Sequence, residues 1–410
     1  MEKGYLIINV YADTIGQPIN NADVEIIGNN VHLQLKTDIS GKTEQIELDA
    51  PNKEYSLSPQ KEVKPYAQYS IKVTQEGMES TIIDGVEIFT GEIALQNVFL
   101  TTEPNTKAPY NYYEIPDHTL WGNYPPKIKE SFIKEEGVSL DSRVLPTVLV
   151  PEFIIVHDGI PTNNNVANYT VNFIDYIKNV ACSELYSTWP IETIKANVLA
   201  ILSFTLNRIY TEWYTSKGYN FTITSSTAYD QKYSHGRTIF KSIADVVDSI
   251  FQQYIKLPNV KQPLFAQYND GIVTNNAGWL SQWGSKDLGD KGYMALDILK
   301  YYYTNNIIIA EAEEIDGLPT SYPGYSMALG DCGEPIQKIQ NELNVINGSY
   351  SGIPKIIPAD GQFKQNTETT VRAFQKAFDI PVTGIIDFTT WYRISYIYTA
   401  VSKMIEGIYQ

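Results

Sequence analysis

Short segments in which apolar and polar residues alternate fill the first hundred residues, and this pattern restricts that part of the chain to a β fold. Turn residues separate the segments, as in GQPINNADVEIIG (residues 16–28), TDISGKTEQIEL (37–48) and VTQEGM (73–78). Several short strands at such regular spacing are typical of a small sandwich. We therefore predict a β-sandwich over residues 1–104.

The remainder of the chain divides into three further regions. Residues 105–150 are rich in Pro, Tyr and Asn without a sustained period, which predicts a linker or an extended surface segment. Residues 151–318 mix helical and strand-like patterns, and residues 319–410 combine helices with short turns. The predicted fold class is multidomain α+β, with an N-terminal β-sandwich, a central mixed α/β domain and a small helical C-terminal domain.

Composition excludes several classes of function. The 410 residues carry a formal net charge of −16, which is the wrong sign for binding nucleic-acid phosphates or anionic membranes. Two cysteines cannot form a disulfide framework, and the four histidines lack metal-ligand spacing. We expect no nucleic-acid partner, no membrane partner, no cofactor and no metal. Thirty tyrosines and six tryptophans instead suit recognition of sugar rings by stacking.

A single carboxylate falls within an apolar helical pattern near the middle of the chain. The stretch VNFIDYIKNVACSEL (171–185) has apolar residues at helical spacing, and Glu184 lies near its end. Pro190 suits the first turn of a following helix, so Glu184 is expected at the corner between two helices. A carboxylate in such surroundings is costly unless it is hydrogen-bonded, protonated or used in a reaction.

The C-terminal region contains the most specific motif of the chain. It begins with the turn GDCG, continues with the helix PIQKIQNEL and the turn DGQF, and ends with TETTVRAFQ and TTW. These blocks resemble the PG_binding_1 family of peptidoglycan-binding domains, although Lys364 replaces a usual glycine. The resemblance implies peptidoglycan as a partner, and the residues carried over from the family pattern are Asp331, Gln340, Asp360, Phe374, Gln375 and Trp391.

Three separated blocks in the central region carry a second resemblance. In chain order they are Ser183 and Glu184 with WPIETIKA (189–196), then QKY (231–233), then SQWG (281–284). Their order and content resemble the SpoIID family of peptidoglycan lytic transglycosylases. That resemblance implies a SpoIID-like catalytic domain over residues 151–318, with Glu184 as its catalytic acid. The residues expected to bind substrate or support Glu184 are Lys195, Gln231, Tyr233, Ser281, Gln282 and Trp283.

Departures from the SpoIID pattern point to a narrower family. The triplet LSF (202–204) replaces Arg-Thr-Tyr, and Ser225, Tyr229 and Asp230 stand where zinc ligands can occur, so no metal is expected. With the stretches 196–214 and 222–231, these changes resemble the SleC-type family of clostridial spore cortex-lytic enzymes. The first hundred residues likewise resemble carboxypeptidase-regulatory or transthyretin-like sandwiches.

The SleC-type resemblance spans the chain and has several implications. It implies a precursor in the cortex and coat region of the spore, which agrees with the lack of an apolar signal-peptide core at the N-terminus. Its substrate would be spore cortex peptidoglycan, cleaved during germination. Activation would come from a germination protease that cuts near residues 140–150.

The chemistry implied for Glu184 requires only one carboxylate. Lytic transglycosylases cleave the bond between N-acetylmuramic acid and N-acetylglucosamine without water, because the 6-hydroxyl of the muramyl residue is the nucleophile. A hydrolase needs a second carboxylate, whereas here one acid can donate a proton and then accept another. Such an acid must be protonated near neutral pH, which apolar neighbours such as Leu185, Tyr186 and Trp189 favour.

Each supporting residue also has a structural interpretation. Glu184 could cap a helix or pair with Lys195, Gln282 could brace a loop, and Tyr233 could fill the core. Lys195 could tune Glu184 or form an ion pair with Glu192, and Trp283 is expected to pack. At the level of the whole chain, the alternatives are a catalytically silent peptidoglycan-binding spore protein and a peptidoglycan amidase.

Overall fold

A computed structural model of the chain describes residues 2–12, 16–102, 110–131, 145–317 and 321–405. Strands dominate its N-terminal region and helices its C-terminal region, as predicted for a mixed α+β chain. The predicted boundaries after residues 104 and 318 lie outside the described residues. Of the segment expected to be cut near residues 140–150, residues 140–144 lie outside them too.

The N-terminal region consists of two sheets that share one core. Its strands are β1 (Glu2–Ala12), β2 (Gln17–Pro18), β3 (Asp23–Gly28), β4 (Val31–Lys36), β5 (Ile46–Ala50), β6 (Ala67–Thr74), β7 (Ser80–Ile88) and β8 (Ile93–Leu100). In one sheet β1 pairs in parallel with β8 and antiparallel with β2 and β5. In the other, β4, β3, β6 and β7 follow one another antiparallel. Inward side chains such as Ile8, Ile71 and Val86 are fully buried between them.

Part of the predicted linker is a strand of this second sheet. Tyr110–Glu114 (β9) pairs in parallel with β7, in register Ile82 with Tyr112. The sequence YNYYE alternates between half-buried and exposed positions, which suits a strand at the edge of a sheet. Residues 110–114 are thus extended at the surface and pair with the second sheet, while the linker boundaries as a whole stay a prediction.

The predicted corner between two helices is present in the central region. Helix α1 (Phe173–Glu184) begins at Asn172, whose side chain accepts hydrogen bonds from the amides of Ile174 and Asp175. It ends at Glu184 because Leu185 adopts an extended conformation. Helix α2 (Ile191–Tyr210) begins directly after Pro190, which cannot continue a preceding helix. The two ends hold Glu184 beside the segment 185–190.

The other central elements are short. They are β10 (Leu149–Val150), β11 (Phe153–His157), β12 (Asn168–Asn172), β13 (Ile223–Thr224), β14 (Ile239–Phe240), α3 (Lys241–Ile250), β15 (Gln253–Lys256), β16 (Tyr268–Asn269), β17 (Leu280–Ser281), α4 (Gln282–Asp290), α5 (Ala295–Tyr302), β18 (Ile308–Glu311) and β19 (Glu314–Ile315). Within residues 220–233 the strand is confined to β13, because the Asp230 side chain folds the segment back onto Thr224. The SQWG block opens α4 because Ser281 caps that helix.

The central region and the two-sheet region form one continuous packing unit. Strand β14 pairs antiparallel with β8 and so extends the first sheet. Phe89 contacts both Phe240 and Tyr186, with ring centroids 5.1 and 5.3 Å apart. Arg237 forms a fully buried ion pair with Glu87, with 2.6 Å between Nη2 and Oε2. Such an interface resembles the interior of a domain rather than a contact between mobile modules.

The C-terminal region contains three helices, α6 (Glu334–Ser349), α7 (Gln365–Ala377) and α8 (Phe388–Ile405). Two buried glutamines fix its turns in the same manner. Gln340 accepts from the amide of Gly361, and Gln375 accepts from the amide of Gly384. Both glycines have positive φ, at 73° and 75°, which favours glycine at these positions. No helix within the described ranges is both long and apolar enough to span a membrane.

Candidate active site

Glu184 lies at the last residue of α1 and is 4% exposed. Its Oε1 accepts a hydrogen bond from the backbone amide of Lys232 at 2.8 Å. The Gln282 side-chain amide donates to Oε2 at 3.2 Å and to the Glu184 carbonyl oxygen at 3.1 Å. The three separated sequence blocks therefore meet at one carboxylate, and two N–H donors fix its orientation.

Gln231 does not hydrogen-bond Glu184 but fixes the backbone segment that does. It is fully buried, accepts from the hydroxyls of Tyr176 and Thr205, and donates to the Ile201 carbonyl oxygen. These bonds join α1, α2 and the segment 230–233. They place the amide of the next residue, Lys232, at the Glu184 carboxylate.

The neighbouring Asp230 is the centre of a charge network that the sequence did not reveal. Arg208, 1% exposed, donates to Asp230 Oδ1 at 2.7 Å and makes a bidentate pair with Glu130. Asp230 Oδ2 also accepts from the hydroxyls of Tyr214 and Thr224, both at 2.7 Å. The one available signal was an arginine inside the apolar run of α2, since a buried charge requires a partner.

Tyr268 is a second residue of the site that sequence analysis missed. It is 2% exposed, and its hydroxyl has no hydrogen-bond partner within the described residues. Burial and then the nearby Glu184 carboxylate raise its pKa well above the ordinary tyrosine value. The hydroxyl is therefore a protonated donor close to the carboxylate. Strand β16 is only two residues long, so no alternation drew attention to it.

Aromatic rings form the wall of the corner. Trp283 packs on Trp189 at 5.0 Å and on Tyr186 at 6.0 Å between ring centroids. The Trp189 indole N–H donates to the carbonyl oxygen of Ser56, which belongs to the two-sheet region. Ser281 caps α4 through a bond from Gly284 and so sets the position of Gln282.

Two predicted supporting residues lie away from the carboxylate. Tyr233 is buried, stacks on Tyr176 at 5.9 Å, and its hydroxyl lies 3.3 Å from His235 Nδ1. Lys195 is half-buried on α2, and in the described ranges it forms no ion pair with Glu184 or with Glu192. Glu192 instead accepts from the amide of Ala295 at 2.8 Å.

The segment 124–131, which we term the strap, crosses the site on its way from β9 to the central region. Its Ile128 amide donates to the Ala228 carbonyl oxygen, and the Gln267 side chain bonds both Ile128 and Glu130. The Lys127 ammonium donates to the carbonyl oxygen of Asp230. The strap thus bonds the segment that carries Lys232 and the residue next to Tyr268, so it lies beside the site.

The residues carried over for peptidoglycan binding have two kinds of environment. Gln340, Phe374, Gln375 and Trp391 are buried and determine the fold of the helical region. Asp331 and Asp360 are exposed, and each also bonds a backbone amide of its own turn.

Metal-ligating side chains are not clustered in the described parts of the chain. No three side chains of His, Cys, Asp or Glu come together there as potential ligands of one ion. Cys182 is buried and Cys332 is exposed, and both are free thiols.

Comparison with known proteins identifies one part of the chain. Residues 332–394 match the family model of PG_binding_1, a peptidoglycan binding domain. No curated protein matches the sequence. No SpoIID or SleC-type relative is found among these comparisons.

Solved structures similar to part of the chain include three bacterial proteins. The Bacillus anthracis TIE protein is 18% identical, with a TM-score of 0.19, over 25% of this chain and 17% of that protein. Klebsiella pneumoniae 5-hydroxyisourate hydrolase is 14% identical, with a TM-score of 0.17, over 24% of this chain and 92% of the hydrolase. The minor pilin GBS52 of Streptococcus agalactiae is 18% identical, with a TM-score of 0.18, over 27% of this chain and 49% of the pilin.

The family match covers α6, α7 and the first turns of α8. It agrees with the residues that fix the turns of this region, including Gln340 and Gln375. A domain of this kind indicates association with the cell wall. The helical C-terminal region of this chain therefore contains a peptidoglycan-binding domain of the PG_binding_1 family.

Proposed function

We propose that the central region is a peptidoglycan lytic transglycosylase with Glu184 as its acid and base. The observation that carries this proposal is the convergence of the Lys232 amide and the Gln282 side chain on one buried carboxylate, with the Tyr268 hydroxyl nearby. A single oriented carboxylate suits a reaction whose nucleophile belongs to the substrate. The peptidoglycan-binding domain on the same chain would bring that substrate to the site.

The proposed reaction balances with one residue. Glu184 gives its proton to the glycosidic oxygen between N-acetylmuramic acid and N-acetylglucosamine, and the bond from the muramyl anomeric carbon to that oxygen breaks. The muramyl 6-hydroxyl oxygen then bonds to the same carbon, and its proton passes to Glu184. The products are a 1,6-anhydromuramyl end and a free N-acetylglucosamine hydroxyl, and the acid is regenerated.

The surrounding residues supply orientation for these steps. Lys232 N–H makes the shorter bond and anchors Oε1, so Oε2 is the oxygen placed to exchange the proton. The Tyr268 hydroxyl, which makes no hydrogen bond within the described residues, can donate to an oxygen of the bound sugar. Gln282 holds Glu184 in place and becomes a positioning residue in this scheme.

The intact chain would be a precursor in the spore cortex and coat region. The strap is bonded beside the site and is continuous with the two-sheet region, which supports restraint of the site until the chain is altered. A germination protease that cuts between β9 and β10 would sever the connection without removing any element of the central region. Cortex peptidoglycan is the proposed substrate.

The test is mass spectrometry of the products released from purified spore cortex peptidoglycan. A recognition sequence for a site-specific protease replaces residues within 132–144, so that the same full-length protein is assayed uncut and cut. Anhydromuramyl ends are expected from the cut protein. They should be absent with Glu184→Gln and present with Glu192→Gln, a matched change on the adjacent helix.

Two other outcomes would overturn the proposal. Reducing muramyl ends would mean hydrolysis and a second carboxylate. No cleavage by the cut protein, with sedimentation on peptidoglycan intact, would indicate a catalytically silent binding protein. The 4% exposure of Glu184 is the observation that favours this second function.

A further inference from the structure

The strap places a lysine ammonium in an aromatic and acidic chamber beside Glu184. Lys127 Nζ lies 4.6 Å from the ring centroid of Tyr268 and 5.4 Å from that of Phe204. It donates to the carbonyl oxygen of Asp230, which forms a third side of the chamber. Two ring faces and a carbonyl oxygen are the groups that hold an ammonium ion in proteins.

Charges of both signs surround this ammonium. The carboxylates of Glu184, Asp230 and Glu130 favour the cation, with Glu184 the strongest of the three, and Arg208 opposes it. Burial lowers the pKa of Lys127 despite this attraction. Arg208 is already neutralised by Asp230 and Glu130, so Glu184 is the carboxylate left to face a cation in the chamber.

We propose that this chamber is an ammonium-binding subsite of the glycan-binding cleft, and that Lys127 occupies it in the intact chain. When the strap moves away, the subsite takes a primary ammonium group carried by the peptidoglycan ligand. This inference rests on the proposed function for the identity of the polymer, but the subsite itself is defined by Tyr268, Phe204, Asp230 and Glu184.

Peptidoglycan offers a primary ammonium from two sources. One is an amino sugar that has lost its acetyl group, and the other is the side-chain amine of a stem peptide. Both present the same head group as lysine, and a lysine side chain fits the chamber here. An N-acetylated sugar carries no cation, so the subsite would distinguish deacetylated from acetylated glycan.

The test uses the full-length protein with Lys127→Ala, which empties the chamber, and n-butylamine as the probe. Calorimetric titration is expected to show butylamine binding at least ~10-fold tighter to Lys127→Ala than to the native protein, where the site is filled. Butanol, which is equally long but neutral, should not bind. Lys129→Ala changes an exposed lysine two positions away and should behave as the native protein.

Lys127→Ser also empties the chamber and replaces Lys127→Ala if that variant is poorly folded, and two further variants test what the chamber recognises. Lys127→Met fills the chamber without a charge and should bind neither probe. Tyr268→Leu in the Lys127→Ala background should weaken butylamine binding by several-fold because one ring face is lost. Equal butylamine affinity in the native and Lys127→Ala proteins, or equal affinity for butanol, would overturn the proposal.

Three larger probes identify the source of the ammonium. They are the trisaccharide of glucosamine, its N-acetylated counterpart and a tripeptide that ends in lysine, each titrated into Lys127→Ala after the chain has been cut within residues 132–144 so that the strap can move. Tighter binding of the deacetylated sugar assigns the subsite to the glycan, and tighter binding of the peptide assigns it to the stem. Equal binding of all three would overturn it. None of these titrations requires the protein to cleave glycan. The binding result can therefore be interpreted even if the transglycosylase assay fails.

Discussion

Arg208 shows how a single buried charge organises the site from a distance. Its guanidinium donates hydrogen bonds to Asp230 and Glu130. The guanidinium carbon Cζ also lies 4.3 Å from the ring centroid of Phe265. Asp230 in turn directs the segment whose amide at Lys232 binds Glu184. Removing one partner of a buried pair leaves the other charge uncompensated, and this usually costs far more than the pair contributes.

Arg208→Leu should therefore destabilise the protein strongly. The expected loss in the free energy of unfolding is about 3–5 kcal/mol, because Asp230 remains buried without its cation. Urea unfolding followed by tryptophan fluorescence measures this. Lys217→Leu is the matched control, since that exposed lysine lies on the Trp213 ring and should cost about 1 kcal/mol or less. A similar small loss for both variants would contradict the assigned role of Arg208.

Glu87 makes stability depend on pH. Burial raises the pKa of Glu87 from 4.5 to about 7, although Arg237 opposes this shift. Between about pH 4.5 and 7, the Glu87 carboxyl is therefore protonated in the folded protein and ionised in the unfolded chain. The corresponding stability is complete below about pH 4.5 and is lost as the pH rises through about 7.

Glu87→Gln removes this proton equilibrium and isolates its effect. When the pH is raised from 5 to 8, the unfolding free energy of the native protein should fall by about 2–3 kcal/mol more than that of the variant. Urea titrations at the two pH values measure the difference, in which other groups such as His118 cancel. Glu47→Gln, an exposed carboxylate of the same region, should follow the native protein at both pH values. A native-like pH dependence in Glu87→Gln would contradict the prediction.

At the scale of elements, the strap shows where sequence analysis fails. Its conformation follows from long-range bonds to Ala228 and Gln267, and neither helical nor strand periodicity marks such a segment. The corner between α1 and α2 was predictable, because apolar spacing and Pro190 are local signals. The same distinction separates Glu184, which stands out in an apolar helix, from Tyr268 and Lys127, whose roles depend on tertiary contacts.

Glu130 should control how firmly the strap is held. Glu130→Gln loses the charge of its bidentate pair with Arg208, so the strap should open more often. Hydrogen exchange of peptides that cover residues 124–131 is expected to be at least ~10-fold faster in this variant. Lys129→Gln, an exposed neighbour, is the control and should exchange as the native protein does. Unchanged exchange in Glu130→Gln would show that the strap is anchored elsewhere.

At the scale of the whole molecule, the two-sheet region contacts both other regions. It binds the central region through β14 and the Glu87–Arg237 pair. It binds the helical region through Lys42 and Asp379, 2.6 Å apart and nearly buried, and through a hydrogen bond from the Tyr350 hydroxyl to Gly16. The peptidoglycan-binding domain is thus held at a fixed position relative to Glu184. Sequence analysis predicted the regions but not these contacts, since nothing local encodes which surfaces meet.

These contacts predict what a cut between β9 and β10 would do. The two pieces share the pairing of β14 with β8, the ring contacts of Phe89 and a buried ion pair. Burial of this apolar area should hold the pieces together in solution. After cleavage within residues 132–144, both should elute in one peak at the position of the uncut protein, in 0.5 M salt (roughly sufficient to screen surface charge pairs).

A double variant provides the control, since Phe89→Ala with Arg237→Leu removes a central ring and one member of the buried pair. Its pieces should separate after the cut, while the uncut variant remains one chain.

Separation of the native pieces would mean that the cut itself uncovers Glu184. If they stay together, the strap remains beside the site on the N-terminal piece. The cut then frees only one end of the strap, and a ligand must still displace Lys127 from its chamber. The affinity of the ammonium subsite would thus determine how readily the cut protein engages its glycan.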